Sequence, residues 1–221
     1  MDKCLVILSG GQDSTTCLYW ALKNFKVVEA IHFDYGQKNE LVELSKVIFI
    51  CSKVGVRLKT IKLYLNDIVE SDLFKGGEFS VKDNIPSSFV PFRNLFFLTY
   101  AMAYAYTREI QNIVIGVNQV DFSGYPDCRK DFILSAEKTL RLAIDKEVNI
   151  ITPLLEKSKV EIFELADDLN CLDVIINDTI TCYNGNLTIN EWGLGCGECP
   201  ACKIRKQSYQ DYLTLKKPSE L

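Results

Sequence analysis

Apolar side chains along this chain recur at two different periods, and the switches between them mark out an alternating fold. Cys4 to Leu8 and Val27 to Phe33 are short unbroken apolar runs, whereas the residues after Asp13 and after Asn39 repeat apolar positions every three or four residues. In the second of those helices Leu41, Leu44, Ile48 and Cys51 are expected on one buried face. A third short strand, Val56 to Leu63, follows Gly55. Strand, helix, strand, helix, strand in that order predicts a parallel sheet, because each return crossover uses a helix.

Between Asp72 and Pro91 the pattern lapses into glycine, serine, proline and charge, which reads as a mobile loop or lid. A buried helix from Arg93 to about Thr107 and a strand from Asn112 to Gly116 resume the alternation. An irregular stretch from Val117 to Pro126 follows, then a helix from about Asp131 to Glu147. Ser158 with Glu161 is a capping-box signal, and Ile162, Leu165, Ala166 and Leu169 continue it as an apolar stripe. After Asp173 the periodicity fades into a cysteine-rich stretch closed by a helix from Lys203 to Leu213. These features divide the chain into an α/β domain over residues 1–175 and a C-terminal region over 176–221, with no internal repeat.

Composition narrows the partners. With 221 residues, 48% of them hydrophobic, the chain is long enough for one full core. A net charge of −4 argues against a nucleic-acid backbone as the main partner, since phosphate contacts need a surplus of Lys and Arg. Neither a nucleic acid nor a membrane is expected as partner. Leu95 to Tyr106 is shorter than the ~20 apolar residues a bilayer span needs. Cys4 to Leu8 is too short for a signal-peptide core. A reducing, cytoplasmic location is expected.

Nine cysteines, an odd number, fit metal chemistry better than a disulfide framework in that compartment. Cys196, Cys199 and Cys202 form a C-x-x-C-x-x-C run, with Cys182 fourteen residues upstream. Four thiolates at such intervals can close a tetrahedral Zn²⁺ site, which is full and hence structural. Gly195, Gly197 and Pro200 among them favour this over merely buried thiols. Cys4, Cys17, Cys51 and Cys171 sit among apolar neighbours and read as small core residues.

At the other end, Ser9 to Ser14 read SGGQDS directly after the first strand. Gly10 and Gly11 can take the positive φ of a tight strand-to-helix turn and bring backbone N–H groups close to an anion. The helix beginning at Ser14 aims its partial positive end at the same place. The chain has no G-x-x-x-x-G-K-[ST], so γ-phosphoryl transfer is less natural than a loop that holds β and γ phosphates together as leaving pyrophosphate.

SGGQDSTTCL is followed by His32-Phe33-Asp34-Tyr35-Gly36-Gln37, by Val90-Pro91-Phe92-Arg93-Asn94 and by Gly116-Val117-Asn118. Asp121 to Arg129, Thr152-Pro153-Leu154 with Lys159 and Glu161, and the four cysteines complete the series. In this order the segments resemble the PP-loop ATP pyrophosphatases and, within them, the 7-cyano-7-deazaguanine synthases of queuosine biosynthesis. Phe92 stands where that family commonly has glycine, Phe122 where it has tyrosine and Asn39 where it has histidine.

The resemblance implies a Rossmann-like, adenine nucleotide alpha hydrolase-like fold. This is a parallel five-stranded sheet with helices on both faces and a C-terminal zinc-binding element. It implies that ATP activates 7-carboxy-7-deazaguanine, that ammonium supplies nitrogen for an amide, and that a second activation and dehydration yields the nitrile. It assigns Leu8, Ser9, Gly10, Gly11, Gln12, Asp13, Ser14, Thr15, Thr16, Cys17 and Leu18 to the nucleotide, with Asp13 a Mg²⁺ ligand. Asp13, Ser14, Lys159 and Arg93 are the expected catalytic residues. Arg93, Tyr125, Asp127 and Arg129 are expected to read the substrate, and Lys38 is a further candidate for phosphate. Cys128 reads as pocket-lining, and His32 carries no acid-base assignment. A homodimer is expected.

Three other readings stay open, the first being a related enzyme that stops at the 7-amido product. A tRNA thiolase or lysidine synthetase would keep the adenylation but needs an extended basic surface. A nucleotide-sensing module would bind ATP without turnover.

Overall fold

A computed structural model of the protein describes residues 2–75, 78–119 and 125–216. Five strands, β1 (Lys3–Ile7), β2 (Val27–Asp34), β3 (Arg57–Lys62), β6 (Asn112–Val114) and β7 (Asn149–Ile151), form one sheet in the order β3-β2-β1-β6-β7. All four pairings are parallel, with Ile7 opposite Ile31, Cys4 opposite Asn112 and Asn112 opposite Asn149. The helices are α1 (Gln12–Asn24), α2 (Glu40–Val54), α3 (Asp72–Lys75), α4 (Arg93–Thr107), α5 (Lys130–Ile144), α6 (Lys159–Asp168), α7 (Leu172–Asp178) and α8 (Pro200–Lys216). Two small hairpins, β4 (Val81–Lys82) with β5 (Ile85–Pro86) and β8 (Ile189–Asn190) with β9 (Gly193–Leu194), complete the described elements.

Alternation along each strand builds two cores, because successive side chains point to opposite faces. Leu5, Ile7, Ile31, Phe33, Ile113 and Ile150 pack with Leu98, Ala101 and Met102 of α4 and Ile133, Ala136 and Leu140 of α5. Cys4, Val6, Leu8, Ala30 and Val114 pack on the other face with Cys17 and Leu18 of α1, Val47, Ile50 and Cys51 of α2, and Ile162 of α6. Cys4, Cys17, Cys51 and Cys171 are buried, as their apolar neighbourhoods predict.

Several elements differ from the sequence expectation. On α2 the buried residues are Val47, Ile50 and Cys51, while Leu41 and Ile48 are 75% and 50% exposed. Apolar residues occur all round this helix, so period alone leaves its phase open. The phase is set by Val47, whose Cγ2 lies 3.1 Å from where a Cβ on Gly10 would sit. Helix α5 stops at Ile144 because Asp145 turns left-handed, with φ 50°. Residues 72–75 and 78–91 are more structured than a loop: α3 and the β4-β5 hairpin lie there, and Leu73 and Val90 are buried in the first core. Asp121 to Gly124, with Phe122, lie outside the described residues.

The C-terminal region is knitted into the sheet domain, and the expected boundary at residue 175 falls inside α7. Helix α8 lays Tyr212 against Phe163 of α6, with ring centroids 5.9 Å apart, and the Tyr212 hydroxyl donates to Asp167 at 2.9 Å. Among the described residues no helix is long and apolar enough to cross a membrane.

Candidate active site

The chain leaves β1 for β2 on one side, and β6 and β7 lie on the other. The loops after β1 and β6 therefore diverge, and in open α/β sheets ligands bind at such a switch point. A cavity of about 310 Å³ opens there, lined by Ser9, Gly11, Asp13 and Ser14 from the first loop and Gly116 from the second. His32, Tyr35, Glu43, Arg93, Lys159 and Tyr183 are among the other residues of its wall.

The first loop is held tightly from three sides. Gly10 has φ 79°, a conformation that favours glycine, and a Cβ there would also lie 3.2 Å from the Glu43 carbonyl. The Gly10 carbonyl accepts the Ile180 N–H at 2.9 Å. A Cβ on Gly116 would come within 3.2 Å of Asp13 backbone, so the end of β6 abuts the first turn of α1. The Ser9 N–H donates to Ser14 Oγ at 3.1 Å, and the two hydroxyls are 3.0 Å apart. Gly11, the N-cap of α1, offers no side-chain acceptor to the first turn. Backbone donors there remain suited to an anion. Gln12 Nε2 and Thr15 Oγ1 are buried without a hydrogen-bond partner.

Lys159 opens α6 and forms a 2.6 Å ion pair with Asp13 Oδ2 across 146 residues of sequence. Cation and carboxylate thus meet at the mouth of the phosphate loop. Thr16, Cys17 and Leu18, also assigned to the nucleotide, are buried inside α1 and support the loop from behind.

Arg93, in the first turn of α4, lines the same cavity as the loop. Its guanidinium carbon lies 5.7 Å from the ring centroids of both Tyr35 and Tyr125, a double cation–π arrangement. Burial would lower its pKa, but Tyr35, Tyr125 and Asp127 raise it further, so the group stays cationic. Its Nε is buried without a hydrogen-bond partner, a donor that an anion could satisfy. Tyr125 is fixed by a 2.7 Å hydrogen bond with Ser88 and a 3.4 Å contact with the Tyr183 hydroxyl. Phe92, just before Arg93, has φ 61°. This left-handed backbone accounts for a preference for glycine there, and a bulky residue in it costs about 1–2 kcal/mol.

Asp127 and Arg129 occupy different places from Arg93 and Tyr125. Asp127 Oδ2 accepts the Asn94 N–H at 3.0 Å, and Asn94 Nδ2 donates to the Asp127 carbonyl, so this carboxylate caps the helix that carries Arg93. Burial holds its pKa above the ordinary value. Arg129 is exposed at the N-cap of α5 and does not line the cavity. Nor does Lys38, whose N–H donates to the Leu73 carbonyl. Cys128 does line it, and burial pushes its thiol up to about 11.

Sequence reasoning missed two side chains here, Glu43 and Arg205, and named a third, His32, without an acid-base role. His32 is 1% exposed; its Nδ1 lies 2.9 Å from the Leu8 carbonyl, while Nε2 has no partner. Burial lowers its pKa, so the ring is neutral with Nδ1 donating and Nε2 left as an acceptor beside the cavity. Glu43 stands on the cavity wall one turn into α2. Arg205, from α8, is 2% exposed and donates to Trp192 O, Thr179 Oγ1 and Thr181 Oγ1 at 2.9–3.0 Å. Thr181 Oγ1 in turn accepts the Gln12 N–H at 3.5 Å, so the cysteine region touches the start of α1. A glutamate at i+4 from Asn39 was the available signal for Glu43; nothing local announces Arg205.

The four cysteine Sγ atoms lie within 4.8 Å of one another, and Cys196 and Cys202 are 3.9 Å apart. Zn–S bonds of ~2.3 Å put tetrahedral thiolates about 3.8 Å apart, so the quartet could hold a metal of that size. The Glu198 and Cys199 N–H groups donate to Cys196 Sγ at 3.4 and 3.3 Å, as suits a charged sulfur.

A glycine-rich anion loop at the switch point of a 3-2-1-6-7 sheet, sharing its cavity with an arginine held between tyrosines, defines a PP-loop type α/β protein. The chain belongs to the family described as Queuosine biosynthesis protein QueC, whose family model matches residues 3–213. It is 49% identical over 222 residues to a 7-cyano-7-deazaguanine synthase of Clostridium acetobutylicum, covering 98% of this chain and 97% of that one. It is 45% identical over 219 residues to the Bacillus subtilis protein of the same name, covering 97% of each. Among solved structures it resembles a 4-thiouridine synthetase–RNA complex with bound ATP, with TM-score 0.52 and 18% identity, covering 97% of this chain and 52% of that one. It also resembles NMN synthetase from Francisella tularensis, with TM-score 0.50 and 14% identity, covering 100% and 88%. Those two likenesses concern the fold.

Proposed function

We propose that the protein converts 7-carboxy-7-deazaguanine and ammonia to 7-cyano-7-deazaguanine with ATP, as a C–N bond-forming ligase. The observation that carries this reading is that the glycine-rich loop and Arg93 line one cavity. A carboxylate is a poor acyl donor because oxide leaves badly. Its oxygen attacks the α-phosphorus of ATP, pyrophosphate departs onto the Ser9–Ser14 loop, and the acyl-adenylate can then expel AMP. The amide oxygen faces the same difficulty and is activated the same way, so one pocket serves twice. Arg93, braced by Tyr35 and Tyr125, orients the substrate carboxylate. Lys159 offers its charge to the phosphates, where preorganised donors stabilise the developing charge.

Mg²⁺, when bound with nucleotide, neutralises phosphate charge. Asp13 would hold it through Oδ1, which makes no hydrogen bond among the described residues. Zn²⁺, held by Cys182, Cys196, Cys199 and Cys202, would supply structure only. Burial pushes the Cys128 thiol up to about 11, so it is given no nucleophilic role in this reaction. A homodimer in the cytoplasm is part of the same proposal.

Purified protein incubated with ATP, ammonium and 7-carboxy-7-deazaguanine, analysed by mass spectrometry, is expected to yield the nitrile with two AMP per turnover. Accumulation of the amide with one AMP would restrict the reaction to its first half. ATP binding without AMP release would refute the ligase reading.

A further inference from the structure

We propose that Glu43 is the base that takes a proton from ammonium in the amide-forming step, an inference that rests on the ligase reading above. The side chain stands on the wall of the same cavity as Arg93 and the phosphate loop, and its own carbonyl lies against Gly10. Gln37 Nε2 donates to Oε2 at 2.8 Å and Asn39 Nδ2 to Oε1 at 3.1 Å. Both amides are locked in that orientation. Gln37 Oε1 already accepts the Tyr35 N–H at 2.9 Å, and Asn39 Nδ2 also donates to the Cys182 carbonyl at 3.1 Å. A carboxylate has about four lone-pair sites, and these two neutral donors use only two. What remains is acceptor capacity for a small cationic donor.

Ammonium has no lone pair and cannot attack an acyl-adenylate until it loses a proton. Glu43 takes that proton, and the freed lone pair forms the C–N bond. The C–O bond to phosphate breaks, and AMP leaves with its electron pair. The nitrogen then gives its second excess proton to solvent, leaving the neutral amide.

The acidity of the group suits this task. Burial pushes the Glu43 carboxyl up to about 7, against the opposing pull of Gln37, Asn39 and Arg93, while Asp34 adds to the rise. A base with a pKa near the working pH is the efficient choice. The carboxylate fraction, and with it the amination rate, rises with pH through about 7. Stability moves the other way. A folded pKa above the unfolded one means the native state binds the proton more tightly, so stability falls as pH rises from about 4.5 to about 7.

Glu43→Gln in the metal-loaded protein separates the steps. Exchange of labelled pyrophosphate into ATP, dependent on 7-carboxy-7-deazaguanine, reports adenylation alone. Amide formation from ammonium is compared with hydroxamate formation from hydroxylamine, which is largely unprotonated at neutral pH and needs no base beforehand. The expected result is pyrophosphate exchange within about twofold of the parent, ammonium-dependent product down about 100-fold, and hydroxamate formation retained. Undiminished use of ammonium, equal loss with both nucleophiles, or collapse of exchange in the variant would each overturn the assignment. Absence of exchange in the parent would instead sink the ligase reading on which it rests.

Discussion

Replacing Asp13 by alanine is expected to lower kcat/KM for ATP by about 10³-fold while leaving the thermal midpoint within a few degrees. The carboxylate sits in the first turn of α1, and its structural tie is the 2.6 Å pair with Lys159, both side chains partly open to solvent. A partly exposed pair adds little to folding, so removing it acts mainly on the ligand. Phosphate charge must be met where pyrophosphate leaves, and the loss of one well-placed group in such a site costs about 3–4 kcal/mol of transition-state stabilisation. Lys159→Met is expected to fall into the same range. If the two act as one unit, the double variant will be no worse than either alone, and steady-state kinetics on all three proteins will show it. Independent, multiplicative losses would mean that the pair does not work as a unit.

The second large effect concerns the cysteine quartet. Cys202→Ser, or stripping metal with a strong chelator, is expected to lower the thermal midpoint by more than about 10 °C and to abolish turnover. Structural zinc contributes about 10–16 kcal/mol in small peptides, as much as the whole stability of many domains. Cys202 is fully buried in the first turn of α8, and a Cβ on Gly195 would lie 2.6 Å from its sulfur, so the site has no slack. Turnover is expected to fall with it because Arg205, one turn further along α8, reaches Thr181 beside the α1 N-terminus. Cys51→Ser is the control. That thiol is buried on α2 outside the quartet, and differential scanning fluorimetry should show a much smaller shift.

How much of this could be read in the chain depended on how local the determinant was. The Ser158–Glu161 capping box is present in full, since both of its hydrogen bonds join residues three apart. The glycine-rich turn after β1 and the clustering of the four cysteines were legible for the same reason: both are written in short spacings. Helix α7 and strand β7 were not picked out, being seven and three residues long and too short to show a period. The face of α2 was misjudged because only contact with Gly10 selects among its apolar positions.

In the site, Arg93 was found through its motif, but the tyrosines that brace it come from residues 35 and 125. Asp127 was expected to read the substrate, yet its carboxylate caps the helix that carries Arg93. Arg129, judged by the same motif, lies on the surface. Glu43, His32 and Arg205 acquire meaning only from what the fold sets against them, and no spacing along the chain encodes that.

The account stands on adenylation of substrate oxygen, and isotope transfer tests it most directly. With both carboxylate oxygens of 7-carboxy-7-deazaguanine labelled with ¹⁸O, turnover in unlabelled water should place one labelled oxygen in each AMP released and none in pyrophosphate. Label appearing in pyrophosphate or inorganic phosphate, or lost to water with AMP unlabelled, would contradict it.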